Sequence, residues 1–215
     1  MNEHDSDSVS APCFAHLLVD GHVVDQQTAT DVGRFRKSER QRLYKLRKQV
    51  PLEQRRSQAD VVAELLDSQI GDVAGVSIAV YWPIRGELDL RDWMTRCNSS
   101  GATVLLPVVV QKDRPLEFLR WTPACKMRLG TWNIPVPDAT DTVTPDVVIS
   151  PLLGVDRDRF RLGNGGGYYD RTLAAMSGKP RVIGVGQQFS MLKTIFPMPW
   201  DIPMDNVILS DGTIY

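Results

Sequence analysis

Apolar positions recur along the chain with two different periods. Val61, Val62, Leu65, Leu66 and Ile70 return at helical spacing after Pro51, with Glu53 in the first turn, which predicts a helix with one face in the core. The stretch before it, 34–48, is strongly basic and free of glycine and proline, and it also reads as a helix. Further along, the pattern changes. Four apolar runs rich in β-branched residues, 76–82, 103–110, 147–155 and 182–185, predict buried strands. Between the first two, Leu88, Leu90, Trp93 and Met94 supply the apolar positions of a crossover helix over 88–97, and Gly101 ends the connection. A shorter strand is expected at 116–121, whereas 122–144 contains prolines and reads as irregular. Near-continuous apolar strands interleaved with helices predict a single-domain α/β fold, an α/β/α sandwich whose central sheet is mostly parallel or mixed with helices on both faces. In such a sheet a ligand binds outside the carboxyl ends of the strands.

Composition narrows the function classes. With 215 residues, 42% of them hydrophobic, the chain makes one large domain or one domain with a short appendage. Residues 1–33 are polar and read as an N-terminal appendage, expected to be partly disordered, with a hairpin where Val19-Asp20-Gly21-His22 separates two small apolar clusters; 34–215 is the α/β domain. A net charge of -1 offers no global field for nucleic acid, so an anionic ligand must be met by local charge. The longest apolar stretch, 104–110, contains a proline and is far shorter than the ~20 residues of a membrane helix, and the acidic N-terminus lacks the basic start of a secretory signal. A cytoplasmic protein without a membrane partner is expected, as a monomer or weak homo-oligomer. Cys13, Cys97 and Cys125 are odd in number and widely spaced, which fits buried or incidental thiols rather than a disulfide framework or a zinc site. The only histidines, His4, His16 and His22, lie in the first tenth of the chain, so a Ser-His-Asp mechanism would need its base from an N-terminal arm. Proton transfer falls to carboxylates, tyrosines or the substrate.

The most informative stretch is Arg161-Leu162-Gly163-Asn164-Gly165-Gly166-Gly167-Tyr168-Tyr169-Asp170-Arg171, which follows the third apolar run and leads into a helical stretch ending near Met176. Four glycines in five positions are tolerated where the backbone takes positive φ or comes very close to a ligand. A strand, a glycine loop and a helix N-terminus make a cradle of backbone N–H groups for an anion, and phosphate is the obvious guest. The spacing is neither that of a P-loop nor GxGxxG. Arg157, Arg159, Arg161 and Arg171 surround the loop, and Asp170 can either hold a magnesium ion among phosphates or stabilise the first turn of the helix.

This stretch, preceded by Val147-Val148-Ile149-Ser150-Pro151-Leu152-Leu153-Gly154-Val155-Asp156, resembles the signature of the 5-formyltetrahydrofolate cyclo-ligase (5,10-methenyltetrahydrofolate synthetase) family. The basic first helix, Ala79-Val80-Tyr81-Trp82-Pro83-Ile84-Arg85-Gly86-Glu87, Thr131-Trp132-Asn133-Ile134-Pro135 and Trp200-Asp201-Ile202-Pro203-Met204-Asp205 are similar to further family segments in the same order, over about 34–209. The resemblance implies ATP-dependent closure of 5-formyltetrahydrofolate to 5,10-methenyltetrahydrofolate with release of ADP and phosphate, through phosphorylation of the formyl oxygen, with Mg2+ as cofactor and ATP and a reduced formylated folate as partners. It implies ATP binding by Arg36, Lys37, Ser38, Glu39 and Arg40, and by Arg161, Leu162, Gly163, Asn164, Gly165, Gly166, Gly167, Tyr168 and Tyr169. Folate binding is implied for Trp82, Glu87 and Trp132 together with Asn164, Gly165, Gly166, Gly167 and Tyr168. Asp170 and Asp201 match the metal positions, and Arg161, Tyr168 and Asp170 the catalytic set. Arg36 and Arg40, four residues apart, share a helix face from which both can reach phosphates.

There are departures from the family pattern. Arg36 stands where a lysine is typical, Glu39 replaces an apolar residue, Asn164 stands where an aromatic or arginine is common, and Gly166 where some members have lysine. Two alternatives therefore accompany the active ligase: a catalytically weak or silent binder of reduced folate or nucleotide, and a small-molecule kinase or synthetase with another guest in the same pocket.

Overall fold

The computed structural model describes residues 18–19 and 22–215 of the chain. Its frame is a six-stranded mixed sheet. In chain order the strands are β3 (Ser77–Ala79), β4 (Thr103–Val108), β5 (Glu117–Arg120), β8 (Val147–Pro151), β11 (Arg181–Gly186) and β12 (Asn206–Leu209), and across the sheet they run β12-β11-β8-β3-β4-β5. Every neighbour is parallel except β5, which returns antiparallel along β4. Three smaller pairs lie outside this sheet: β1 (Leu18–Val19) with β2 (His22–Val23), β6 (Met127–Leu129) with β7 (Pro135–Pro137), and β9 (Gly154–Val155) with β10 (Arg161–Leu162).

The alternation of strand side chains divides the core into two layers. Ile78, Val104, Leu106, Val147, Ile149, Ile183, Val185 and Ile208 pack against α2 (Leu52–Ile70) and α3 (Arg91–Ser99), whose Val62, Ala63, Leu66, Trp93 and Met94 are buried on that face. Ala79, Leu105, Val148 and Val182 face the other way, where Tyr168, Tyr169 and Leu173 of α4 (Tyr168–Ala175) pack over them. Helices thus cover both faces. The first helix, α1 (Gln26–Gln49), lies across the end of the sheet, where its Leu43 joins Leu153, Leu162, Leu192 and Ile195.

Several elements differ from the sequence expectation. The basic helix begins at Gln26 rather than at 34, because Asp25 accepts the Thr28 N–H at 2.7 Å and caps a first turn whose polar, exposed residues carry no apolar period to read. The expected boundary between appendage and domain therefore falls inside α1. The run 76–82 forms only a three-residue strand, although Val80 still donates to the Leu105 carbonyl at 2.9 Å. The run 147–155 breaks at Leu152, where the chain leaves β8 and turns into β9. The segment expected to be irregular, 122–144, holds the β6–β7 ribbon, whose prolines are tolerated because a two-stranded ribbon has free outer edges. β12 was hidden in a short run among aspartates and prolines.

The hairpin around Val19 and His22 pairs as read, with Val19 opposite His22. Its turn residues, His4, His16, Cys13 and the expected disorder of the first residues lie outside the described ones. Cys97 is buried, and burial pushes its thiol pKa up to about 12, as befits an inert core cysteine. No helix among the described residues is long and apolar enough to cross a membrane.

Candidate active site

A cleft of about 1060 Å³ opens beside the carboxyl ends of the parallel strands. Tyr81 and Trp82 beyond β3, Leu106 and Pro107 of β4 and Pro151 of β8 line its floor, which is where an open α/β sheet is expected to take a ligand. The glycine loop between β10 and α4 forms one wall. Gly165 has φ +99°, and a Cβ there would stand 3.3 Å from the Arg40 guanidinium carbon, so both its backbone and its lack of a side chain are needed. No side chain caps the N-terminus of α4, which leaves its first N–H groups open to an anion.

The opposite wall is α1. Arg36, Arg40, Tyr44 and Arg47 recur at three to four residues and form one stripe along the helix. Arg40 Nε donates to the Gly163 carbonyl at 2.8 Å, and the Tyr44 hydroxyl donates to Asn164 Oδ1, so this stripe holds the loop from across the cleft. Burial lowers the Arg40 pKa, and the neighbouring charges of Arg36 and Arg161 lower it further. Around the cleft five arginines, Arg36, Arg40, Arg85, Arg161 and Arg171, face three carboxylates, Glu87, Asp170 and Asp201, so the surplus local charge is positive.

Both expected metal carboxylates are engaged by arginine. Asp170 Oδ2 accepts Arg161 Nη2 at 2.9 Å, and its Oδ1 accepts the Ile202 N–H at 3.3 Å. Asp201 accepts Arg36 Nη1 at 3.1 Å on Oδ1, and on Oδ2 it takes Arg36 Nη2 and, at 2.6 Å, the Met198 N–H. Arg36 also donates to the Ile195 and Phe196 carbonyls, so each nitrogen of its guanidinium makes at least one hydrogen bond. The Ile202 N–H brings the two carboxylates to one corner of the cleft. Among the described residues no cluster of three or more acidic, histidine or cysteine side chains could hold a metal alone. Asp170 and Asp201 are carboxylates of the type that holds magnesium among phosphates, and all four of their oxygens accept hydrogen bonds from Arg36, Arg161 or the Met198 and Ile202 N–H groups.

Glu87 lies at the other end. Its side chain is 6% exposed, its Oε2 accepts the Ile84 N–H at 3.0 Å, and Arg47 Nη1 stands 3.8 Å from its Oε1. Burial raises its pKa; the Ile84 N–H, Arg47, Asn164 and Arg85 act in the opposite sense. Trp82 beside it has the Arg91 guanidinium 5.1 Å from its ring centroid. Trp132 is 63% exposed and meets Tyr168 edge-on at 5.6 Å. Its φ of 58° is one that bulky residues rarely adopt, and its indole lines the cleft while remaining exposed.

Of the expected residues, Trp82, Glu87, Trp132, Arg161, Gly163 to Asp170, Asp201, Arg36 and Arg40 line the cleft together. The rest do not. Lys37 and Ser38 are exposed on the outer side of α1, Glu39 pairs with Arg42 at 2.7 Å, and Leu162 is buried in the core. Sequence reasoning missed Arg85, Trp200 and His22 in the lining and Tyr44 against the loop. The helical spacing from Arg40 to Tyr44 to Arg47 was the one signal that could have extended the stripe.

The profile of the 5-formyltetrahydrofolate cyclo-ligase family matches residues 33–210. The chain belongs to this family of enzymes. Cyclo-ligases similar to it include that of Escherichia coli K12, 31% identical over 139 residues that cover 61% of this chain and 76% of the relative. The cyclo-ligase of Mycolicibacterium smegmatis is 29% identical over 170 residues, covering 75% of this chain and 87% of the relative. The solved 5,10-methenyltetrahydrofolate synthetase of Aquifex aeolicus superposes with a TM-score of 0.71 at 27% identity, over 82% of this chain and 90% of that one. The synthetase of Mycoplasma pneumoniae shares the fold, with a TM-score of 0.65 at 21% identity over 80% of this chain and 96% of that one. The cyclo-ligase profile begins well after His22, so the hairpin residue at the cleft rim lies outside the family match.

Proposed function

We propose that this chain closes 5-formyltetrahydrofolate to 5,10-methenyltetrahydrofolate with ATP, releasing ADP and phosphate. The observation that carries the reading is one cleft with two chemically distinct ends, a glycine loop among arginines and a buried carboxylate among aromatic rings. Its volume of about 1060 Å³ suits two ligands held side by side. In this chemistry the formyl oxygen attacks the γ-phosphorus while the bond to the departing ADP oxygen breaks. N10 then attacks the formyl carbon and loses its proton, and the C–O bond to phosphate breaks. Such steps ask mainly for alignment and neutralised charge.

Arg40, Arg171 and the loop amides would receive the phosphates, with Arg161 and Tyr168 beside them. Asp170 and Asp201 would hold Mg2+, which supplies further neutralisation of phosphate charge. Glu87 matches the donor-rich edge of a pterin, and Trp82, Trp132 and Tyr168 offer flat faces to its ring. A cytoplasmic setting and a monomer or weak homo-oligomer belong to the same reading.

The test is absorbance at the methenyl-folate band when purified protein meets 5-formyltetrahydrofolate and Mg-ATP, with ATP-free and Asp170→Asn controls. An ATP-dependent rise, lost in the variant, supports the ligase. Binding of folate without any rise supports a silent binder, a reading favoured by one observation: Arg36 is fully engaged with Asp201 and two carbonyls.

A further inference from the structure

We propose that Arg47 is a positioning residue for the folate end of the cleft, the buried cation that aims the Glu87 carboxylate at the substrate; this rests on the folate reading of Glu87. Arg47 sits in the last turn of α1 and is 2% exposed. An arginine so deeply buried is costly unless its charge is answered. One answer is the Leu152 carbonyl just beyond β8, which accepts Nη2 at 2.6 Å. The other is Glu87, 3.8 Å from Nη1, the one carboxylate within ion-pair distance among the described residues. Nε and Nη1 have no hydrogen-bond partner, so the guanidinium is held for its charge toward Glu87 rather than for a full set of bonds.

The turn that carries Glu87 is laid directly on this side chain. Gly86 has φ +79°, and a Cβ there would come within 3.3 Å of Arg47 Cγ and 2.7 Å of Arg55 Nη1. Only glycine lets the turn close this tightly. The hydrogen bond from the Ile84 N–H at 3.0 Å holds Oε2, and this leaves Oε1 facing the Arg47 charge at 3.8 Å. Groups facing Glu87 come from each element around it: Arg47 from α1, Arg85 and the Ile84 N–H from its own turn, Tyr81 from the chain after β3, and Asn164 from the glycine loop. Burial favours the neutral acid, and the Ile84 N–H and then Arg47 oppose it, so the arginine biases Glu87 toward the acceptor form that a donor-rich ring edge requires. Arg47 itself is outside the cleft lining and acts through Glu87.

The experiment compares wild type, Arg47→Met, Arg47→Lys and Glu87→Gln, with thermal melts on each. Two readouts are taken: KM for folate and for ATP across pH, and NMR titration of the Glu87 carboxyl carbon. Loss of one charged partner predicts a roughly ten- to hundredfold higher folate KM in Arg47→Met with ATP KM little changed. In that variant the Glu87 titration moves to higher pH, and folate KM falls as pH rises. Arg47→Lys, which keeps the charge, recovers most of both effects. An unmoved Glu87 titration in Arg47→Met, or equal changes in both KM values with no new pH dependence, overturns the proposal. If Glu87→Gln leaves folate KM unchanged, the folate reading of Glu87 fails instead, while the carboxyl titration still decides whether Arg47 governs its charge.

Discussion

Arg36 grips Asp201 through both terminal nitrogens, across 165 positions of sequence, with side chains only 11% and 7% exposed. The pair ties α1 to the loop before β12, and Phe35 stacking edge-on against Phe196 at 5.0 Å reinforces the same joint. A residue expected to reach phosphate thus pairs with a carboxylate expected to reach metal. Arg161 and Asp170 repeat the arrangement at 2.9 Å. The cleft thus holds two internally neutralised pairs, whose members are separately complementary to phosphate and to a cation.

Asp201→Asn leaves Arg36 buried without a counter-charge and also weakens the bond from the Met198 N–H. The expected cost is about 3 kcal/mol of stability, as for breaking a buried pair. Thermal or denaturant unfolding in the presence of EDTA checks this apart from any metal effect. If Asp201 also serves magnesium, the Mg2+ concentration for half-maximal turnover rises as well; an unchanged melt shows that the loop does not depend on the pair.

Arg40 carries no ion pair among the described residues and donates to the glycine loop at 2.8 Å. Arg40→Ala is expected to lower kcat/KM for ATP by about 1.5–3 kcal/mol, the scale of a charge-assisted hydrogen bond. The folate KM should move much less. Steady-state kinetics with each substrate varied in turn distinguishes this from a general loosening of the loop, which would raise both KM values.

Burial raises the Glu87 pKa above the ordinary glutamate range. The sign follows from linkage: the folded state binds this proton more tightly than the unfolded chain, so the contribution to stability is present below the ordinary glutamate pKa. It is lost as pH rises through the raised one. Glu87→Gln removes that loss, and the melting temperature of the variant relative to wild type should therefore increase with pH across this window. Its folate KM should rise more than its ATP KM. Melts at a series of pH values that track in parallel would contradict the buried-acid account.

Trp132 separates function from stability. Its indole is 63% exposed and its backbone is strained at φ 58°, so Trp132→Gly trades about 0.5–1.5 kcal/mol of edge-on contact with Tyr168 against relief of strain of similar size. Unfolding should be nearly unchanged. Folate binding, followed by equilibrium titration, should weaken several-fold if the indole covers the ring. A clear loss of stability with intact binding would make Trp132 a structural residue.

The glycine run marked one wall of the cleft in advance because a backbone that takes positive φ, or lies close to other groups, must be written locally in glycine. The strands β3, β4, β8 and β11 declared themselves for a similar reason, since they are buried on both faces and so are apolar at nearly every position. The first turns of α1 were missed because nothing apolar marks them, and β6 and β7 because proline usually argues against a strand. Within the site, Glu87 and Trp132 were named, but neither the burial of the one nor the strained exposure of the other has a local signature.

Residue chemistry and spacing along the chain thus carried the fold class, the position of the glycine loop and the shared face of Arg36 and Arg40. Which arginine meets which group was settled in space: Arg36 by a loop 165 positions away, Arg40 by Gly163, Arg47 by Leu152, 105 positions on, and by Glu87. Backbone preference depends on a residue and its immediate neighbours, so it can be read in order. The partner of a buried charge depends on which surfaces pack together once the whole chain has collapsed, because only there does the low dielectric make one counter-charge worth more than water.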